Sequence, residues 1–230
     1  PSRGLGDVYK RQTHNEEIMQ KNNDLNDPFY FYEPSKGHGL PHDPFKSIIA
    51  PRPIGWIGTT SIDGINNLAP YSFFNAVNSN PPMLGFNSAG FKDSVKNIAD
   101  TKVFTWNLVT KPLVEAMNIS CSEVPPEVDE FQLAQLTPTP SVLINAPRVL
   151  ASPVSFECRL AEIIQLKTSD QKILDSWFVI GEVVGVHIVK TALKDGLYDT
   201  ANMQHVMRGG GPADYFSIAP EQLFKLFRPR

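Results

Sequence analysis

The chain is poor in the residues from which many sites are built. It has two cysteines, Cys121 and Cys158, far apart and in neither a C-x-x-C nor a zinc-type spacing. They read as buried, reduced thiols of a cytosolic protein rather than as a disulfide framework or a metal centre. Histidine is also scarce, with five in all. His38 and His42 stand four apart, but Gly39 and Pro41 between them argue for a loop and against a helical metal-binding pair. No apolar run approaches the roughly 18 residues needed to cross a bilayer. The N-terminus lacks the basic-then-apolar pattern of a signal peptide, so the expectation is a soluble, cytoplasmic protein. Neither sign of charge dominates: the formal net charge is −3, which provides no long-range attraction to nucleic acid or to an anionic membrane.

Several catalytic signatures are missing as well. There is no G-x-S-x-G, which argues against a serine hydrolase. Arg208-Gly209-Gly210-Gly211-Pro212 is not G-x-G-x-x-G, so a Rossmann dinucleotide site is not indicated. Glu157 and Glu162 lie at odd spacing in one expected strand and face opposite sides, which weakens a paired-carboxylate reading. No internal repeat or low-complexity tract is present.

What is present is the composition of a globular chain, 41% hydrophobic and 20% charged, with enough apolar material for a sizeable core. Residues 1–12 carry no apolar periodicity and read as a non-native remnant. Residues 13–45 are polar and rich in Asn, Asp, Pro and Gly. They predict an irregular lead-in whose aromatic run, Phe29 to Tyr32, packs on a domain spanning 46–230. The texture changes at Pro51. Residues 54–60 predict a buried strand, Asp63-Gly64 a hairpin turn, and Asn66 the start of a second strand. Pro70 is expected to end regular pairing, so that residues 71–74 leave the ladder. Asn80-Pro81-Pro82 should turn the chain into a third strand over 82–87. A helix is expected over 91–100, capped by Asp93 or Ser94, then a strand over 103–109 and a helix capped by Thr110. One short helix is expected near 127–134, followed by a long antiparallel pair over 154–166 and 177–190. Glycines within the second of these strands suggest curvature. Strands dominate, so the fold class is mainly β: a split β-barrel of Greek-key type with a few decorating helices.

Three segments could carry chemistry. Ser88, Lys92, Asp93 and Ser94 lie where a strand runs into a helix. Free first-turn amides, a lysine and hydroxyls there suit an anion such as phosphate, with Asp93 spent as the cap. Thr59-Thr60-Ser61 close a buried strand and could bond the polar edge of a flat ring, although such hydroxyls are often turn formers. Arg208 and the glycines after it could wrap a ligand or a partner subunit, or form a plain flexible loop.

In order and spacing, five stretches resemble the flavin reductase-like family with the FMN-binding split barrel. They are APRPIGWIGTTSIDGINNLAPYSFFNAVNSNPPMLGF, FKDSVKNIADTKVFTWNLV, SPVSFECRLAEII, FVIGEVVGV and MRGGGPADYF. The resemblance implies a barrel that usually dimerises, with FMN bound near the dimer interface. It implies that Thr59, Thr60 and Ser61 contact the ring or ribityl groups and that Ala69, Pro70, Tyr71, Ser72, Phe73 and Phe74 run along the flavin. It places the phosphate at Ser88, Lys92, Asp93 and Ser94, and brings Arg208 near the cofactor, from the other subunit in some arrangements. It further implies an NAD(P)H-dependent flavin reductase that passes reduced flavin to a monooxygenase or another acceptor. A flavoredoxin-like FMN carrier without a nicotinamide site and a cofactor-free dimeric module are the alternatives. No catalytic residue follows from the pattern. His187 and His205 are the histidines considered for a proton-handling role beside the nicotinamide.

Overall fold

The computed structural model describes residues 28–229, so the reading of residues 1–12 lies outside the described residues. By compactness the chain divides at Ile48. Of the N-terminal unit, the structure describes a 3-10 turn at Pro34–Lys36 and a helical turn at Phe45–Ile48. The Tyr30 hydroxyl donates to the His38 carbonyl, and His38 Nδ1 accepts from the Leu40 amide, so His38 serves a loop. Phe29 and Phe31 are exposed.

The second unit, Ile49–Arg230, is dominated by antiparallel strands. Those of the two sheets that frame the site are β1 (Arg52–Pro53), β2 (Gly55–Thr60), β3 (Asn66–Tyr71), β4 (Phe74–Ser79), β5 (Pro82–Ala89), β6 (Val103–Asn107), β7 (Val154–Lys167), β8 (Ile173–Ile188), β9 (Val206–Arg208) and β10 (Tyr215–Ser217). Among the described residues of this unit, three α-helices punctuate them: α1 (Asp93–Thr101), α2 (Val114–Ile119) and α3 (Glu130–Leu133). The largest sheet among the described residues runs β3-β2-β6-β7-β8-β5-β4, and a small one runs β1-β9-β10. The mainly β class read from the sequence is the observed one.

β2 explains why its sequence is an unbroken apolar run: both of its faces are covered. Trp56 enters one core with Ile54, Leu68, Met117, Phe131 and Val149. Ile57 enters the other with Phe86, Val95, Ile98, Phe104 and Val179. The first core lies beneath α2 and α3, and the second holds α1 against the strands. Burial of this size supplies the main driving force for folding.

Two expectations need correction. Pro70 does not end the ladder. It pairs with Trp56, and Tyr71 still pairs with Gly55. β3 is an edge strand, so the amide that proline lacks would have pointed away from the sheet, and the ladder loses nothing. The chain then breaks for only two residues, Ser72 and Phe73, before β4 pairs with β5. β4 escaped the sequence reading because its residues are largely exposed and show no apolar alternation. The cap of α1 also differs. Lys92 holds the N-cap position with no side-chain cap, and Asp93 is the first helical residue. In α3, by contrast, the Asp129 carboxylate accepts the Phe131 amide as an ordinary N-cap.

β7 and β8 pair along their lengths, with register shifts beside Gly181 and Gly185. A Cβ at Gly181 would overlap the Phe104 ring, and one at Gly185 would stand 3.2 Å from Glu157. These glycines therefore let core side chains pass across the strand, and the adjoining bulges bend it.

Candidate functional site

The site is a groove between the outer edge of β3, the first turn of α1 and the segment joining α2 to α3. Its wider part, about 300 Å³, is lined by Asn67, Ala69, Pro70, Tyr71, Lys92, Asp93, Ser94, Ser120 to Val124 and Glu130. Pro70, Tyr71 and Cys121 continue into a narrower part of about 120 Å³, closed by Ile54, Ser72, Met117, Arg208 and Tyr215. The wider part carries the charges of Lys92, Asp93, Glu123 and Glu130. The narrower part is mostly apolar and aromatic, with the Arg208 guanidinium and Ser72 at its wall.

A buried polar network fixes the wider part. Thr59 Oγ1 accepts from Asn67 Nδ2 at 3.3 Å and from Asn97 Nδ2 at 3.1 Å, and Asn67 Nδ2 also donates to Ser94 Oγ at 2.9 Å. β2, β3 and the start of α1 are thereby pinned together, because leaving any of these buried groups unpaired would cost more than the bonds return. The lack of a side-chain cap leaves the first-turn amides of α1 for solvent or a ligand.

The electrostatics are mixed. Lys92 contributes a positive charge, and Asp93 and Glu130 contribute acids. Glu130 is buried, and its Oε2 accepts the Leu68 amide at 3.0 Å. Burial pushes the Glu130 carboxyl up. The Leu68 amide and its own amide oppose that shift, and nearby Asp93 and Asp129 add to it. Burial likewise raises the Tyr71 phenol against the pull of the Ser94 and Ser88 hydroxyls. Cys121 is exposed rather than buried, which corrects half of the cysteine reading. Burial raises its thiol, while the charges of Lys92 and Arg208 act to lower it. Cys158 is buried in the core, where burial and then the Glu157 carboxylate push its thiol up and keep it unreactive.

Of the residues singled out in the sequence, Ala69, Pro70, Tyr71, Ser72, Lys92, Asp93, Ser94 and Arg208 line this one groove. Arg208 is held by its own loop: Nη1 donates to the Asp214 carbonyl at 2.7 Å and Nη2 to the Pro212 carbonyl at 3.0 Å. Its guanidinium lies 4.9 Å from the Tyr215 ring centroid. Phe73 and Phe74 leave the groove for a neighbouring cleft of about 440 Å³, shared with Ser72, Arg52, Asn87 and Phe178. Phe74 turns inward and stacks on Trp106 at 5.7 Å, while Phe73 lies under the Arg52 guanidinium at 5.6 Å.

The structure does not bring the hydroxyl triplet to the groove. Thr59 is fully buried in the network just described. Thr60 Oγ1 donates to Asn66 Oδ1 and faces a separate cleft beside residues 138–147. Ser61 Oγ accepts the Ile65 amide as a turn former. Ser88 is buried and donates to the Gly90 carbonyl. His187 Nε2 is bound to Glu157 Oε1 at 2.6 Å, and His205 Nε2 to the Tyr198 hydroxyl at 2.8 Å. Neither histidine lines the groove. Glu157 is spent on structure, accepting the Val142 and Leu143 amides at 2.7 Å each.

Glu130, Asn67 and the turn from Ser120 to Val124 were not foreseen as site residues. Asp129-Glu130 opening a short helix was the one visible signal, and nothing local says that this helix folds back over β3.

Comparison with known proteins agrees with this arrangement. The sequence model of the flavin reductase like domain matches residues 48–207. An uncharacterized protein of Aquifex aeolicus is 41% identical over 155 residues, covering 65% of this chain and 76% of that one. The crystal structure of nitrilotriacetate monooxygenase component B from Bacillus cereus superposes with a TM-score of 0.78 at 27% identity. It covers 87% of this chain and 100% of that one. A flavin-reductase-type protein with a split barrel domain from Shewanella frigidimarina gives a TM-score of 0.68 at 25% identity, covering 81% and 89%. The strand arrangement is thus that of the split barrel.

Proposed function

Because the chain belongs to the flavin reductase-like domain family, we propose that its groove binds FMN and that the protein is an NAD(P)H-dependent flavin reductase. The observation that carries this reading is the groove's lining, charged side chains and free helix amides in the wider part and mostly apolar and aromatic side chains beside Arg208 in the narrower. The residues fit the group. A phosphate is suited by Lys92 and the uncapped amides of α1. A flat tricycle is suited by Pro70, Tyr71, Ile54, Met117 and Tyr215. Ser72 and the backbone at residues 69–72 offer hydrogen bonds to a polar ring edge.

When bound, the flavin supplies the hydride acceptor for a nicotinamide. The protein's work is placement. The Thr59, Asn67 and Asn97 network holds α1 at a fixed distance from β3, and so fixes the phosphate end relative to the ring end. Ser72 lines both the groove and the Phe73 cleft, so it stands where a second ring could approach from the outer side. Backbone amides of this irregular step are suited to stabilise negative charge on a ring edge without an acid or base side chain. Thr59, Thr60, Ser61 and Ser88 have no direct ligand role in this reading.

Exposed apolar residues on the strands, among them Val77, Ile164, Val186 and Ile188, favour a homodimer that covers them. The likeness to a monooxygenase component supports a monooxygenase as the acceptor of reduced flavin. Purified protein given FMN and NADH or NADPH should oxidise the nicotinamide catalytically. Tight FMN binding without turnover with either would select a flavoredoxin-like carrier instead. A protein that fails to bind FMN would be a cofactor-free module.

A further inference from the structure

Glu130 is out of place for a phosphate-binding groove. Its carboxyl is buried in the groove wall and anchored by the Leu68 amide at 3.0 Å. It lies close enough to Asp93 for the two to interact, and it lines the same groove as the Lys92 that a dianionic ligand needs. With Glu130 ionised as well as Asp93 and Glu123, the lining of the wider part would carry three negative charges against the one positive charge of Lys92. A dianion would meet repulsion of the same order as its attraction to Lys92. The other ionisable groups facing this part are Tyr71 from β3, Cys121 from the connecting segment that carries Glu123, and Asp129 beside Glu130 itself. None supplies a further positive charge.

We propose that Glu130 is a specificity-determining residue that makes the preference for a phosphorylated over an unphosphorylated flavin depend on pH. Neutral Glu130 leaves the Lys92 and α1 end attractive to phosphate, whereas ionised Glu130 repels it. The proposal rests on the flavin-binding reading of the groove. The direction of the Glu130 shift agrees with it, since burial and Asp93 both favour the neutral form.

The test is flavin fluorescence quenching with FMN and riboflavin, from about pH 4.5 to 8.5, on wild type and Glu130→Gln. The glutamine keeps an acceptor for the Leu68 amide and cannot ionise. The ligand phosphate has its own second ionisation near pH 6, which raises FMN preference with pH in both proteins. Dividing the wild-type preference by that of the variant cancels this common effect. The quotient should fall, about five- to tenfold in all, as pH rises from 4.5 through the range in which the raised Glu130 carboxyl ionises. A quotient that stays flat while both flavins bind overturns the proposal and leaves the flavin reading intact. Failure of wild type to bind either flavin overturns both. Should Glu130→Gln fold poorly, Glu130→Ala takes its place in the same quotient, with the same expected fall and the same contradicting flat result.

Discussion

Lys92 and Thr59 show how differently two polar residues of one site can act. Lys92 is exposed at the N-cap of α1 and lines the groove. Lys92→Ala should therefore weaken FMN binding about tenfold, the usual scale for one charge-assisted contact to phosphate. It should leave riboflavin affinity unchanged, and a titration with both ligands checks this. Thr59 faces inward and sets the frame. A sequence shows that a strand ends in hydroxyls but not which way they point once the strand is covered on both sides. Ser61 fits the turn-former reading, since its hydroxyl accepts the Ile65 amide, whereas the inward facing of Thr59 was not legible. Glu157 offers a stability test. Burial acts to raise its carboxyl, but the Val142 amide, His187 and the Leu143 amide together hold it below its ordinary 4.5. A carboxylate depressed in the folded state stabilises the fold above its unfolded value, and that contribution is lost as pH falls through the folded value. Glu157→Gln should thus cost about 1–3 kcal/mol near pH 7, and the gap to wild type should narrow below pH 4.5. Denaturant unfolding across that range measures it.

At the scale of elements, long strands were the most legible because β-branched and aromatic runs with glycine kinks have few other readings. β7 was expected to within one residue of its observed limits, whereas β8 begins at Ile173, four residues before its expected start, and ends two residues early. β4 was missed because an exposed edge strand carries no hydrophobic pattern to detect. The strand glycines are the sharpest element-level claim. Gly181→Ala should destabilise the protein by about 1–3 kcal/mol through overlap with Phe104, read as a lowered denaturation midpoint. A neutral result would mean that β8 can shift at its bulge to admit the methyl. α1 was legible as a helix but not as an uncapped one, and its free first turn is what makes the groove suitable for an anion.

At the scale of the whole molecule, the order of the segments carried more information than any one of them. Residues 69–72, 92–94 and 208 are remote in sequence, yet they line a single groove. The contribution of Glu130 was not legible, because it depends on α3 packing back against β3 across more than sixty residues. Exposed apolar residues on β4, β7 and β8 predict that the protein sediments in solution at twice its chain mass of 25.6 kDa. A monomer at micromolar concentration would contradict this. The central claim is that the groove holds FMN where a nicotinamide can reduce it. Its most direct test is the visible absorbance of the FMN-loaded protein under anaerobic conditions, before and after one equivalent of NADH or NADPH. The account predicts bleaching of the bound flavin by at least one of the two nicotinamides, reversed on admitting oxygen. A bound flavin that keeps its full absorbance with both would contradict it.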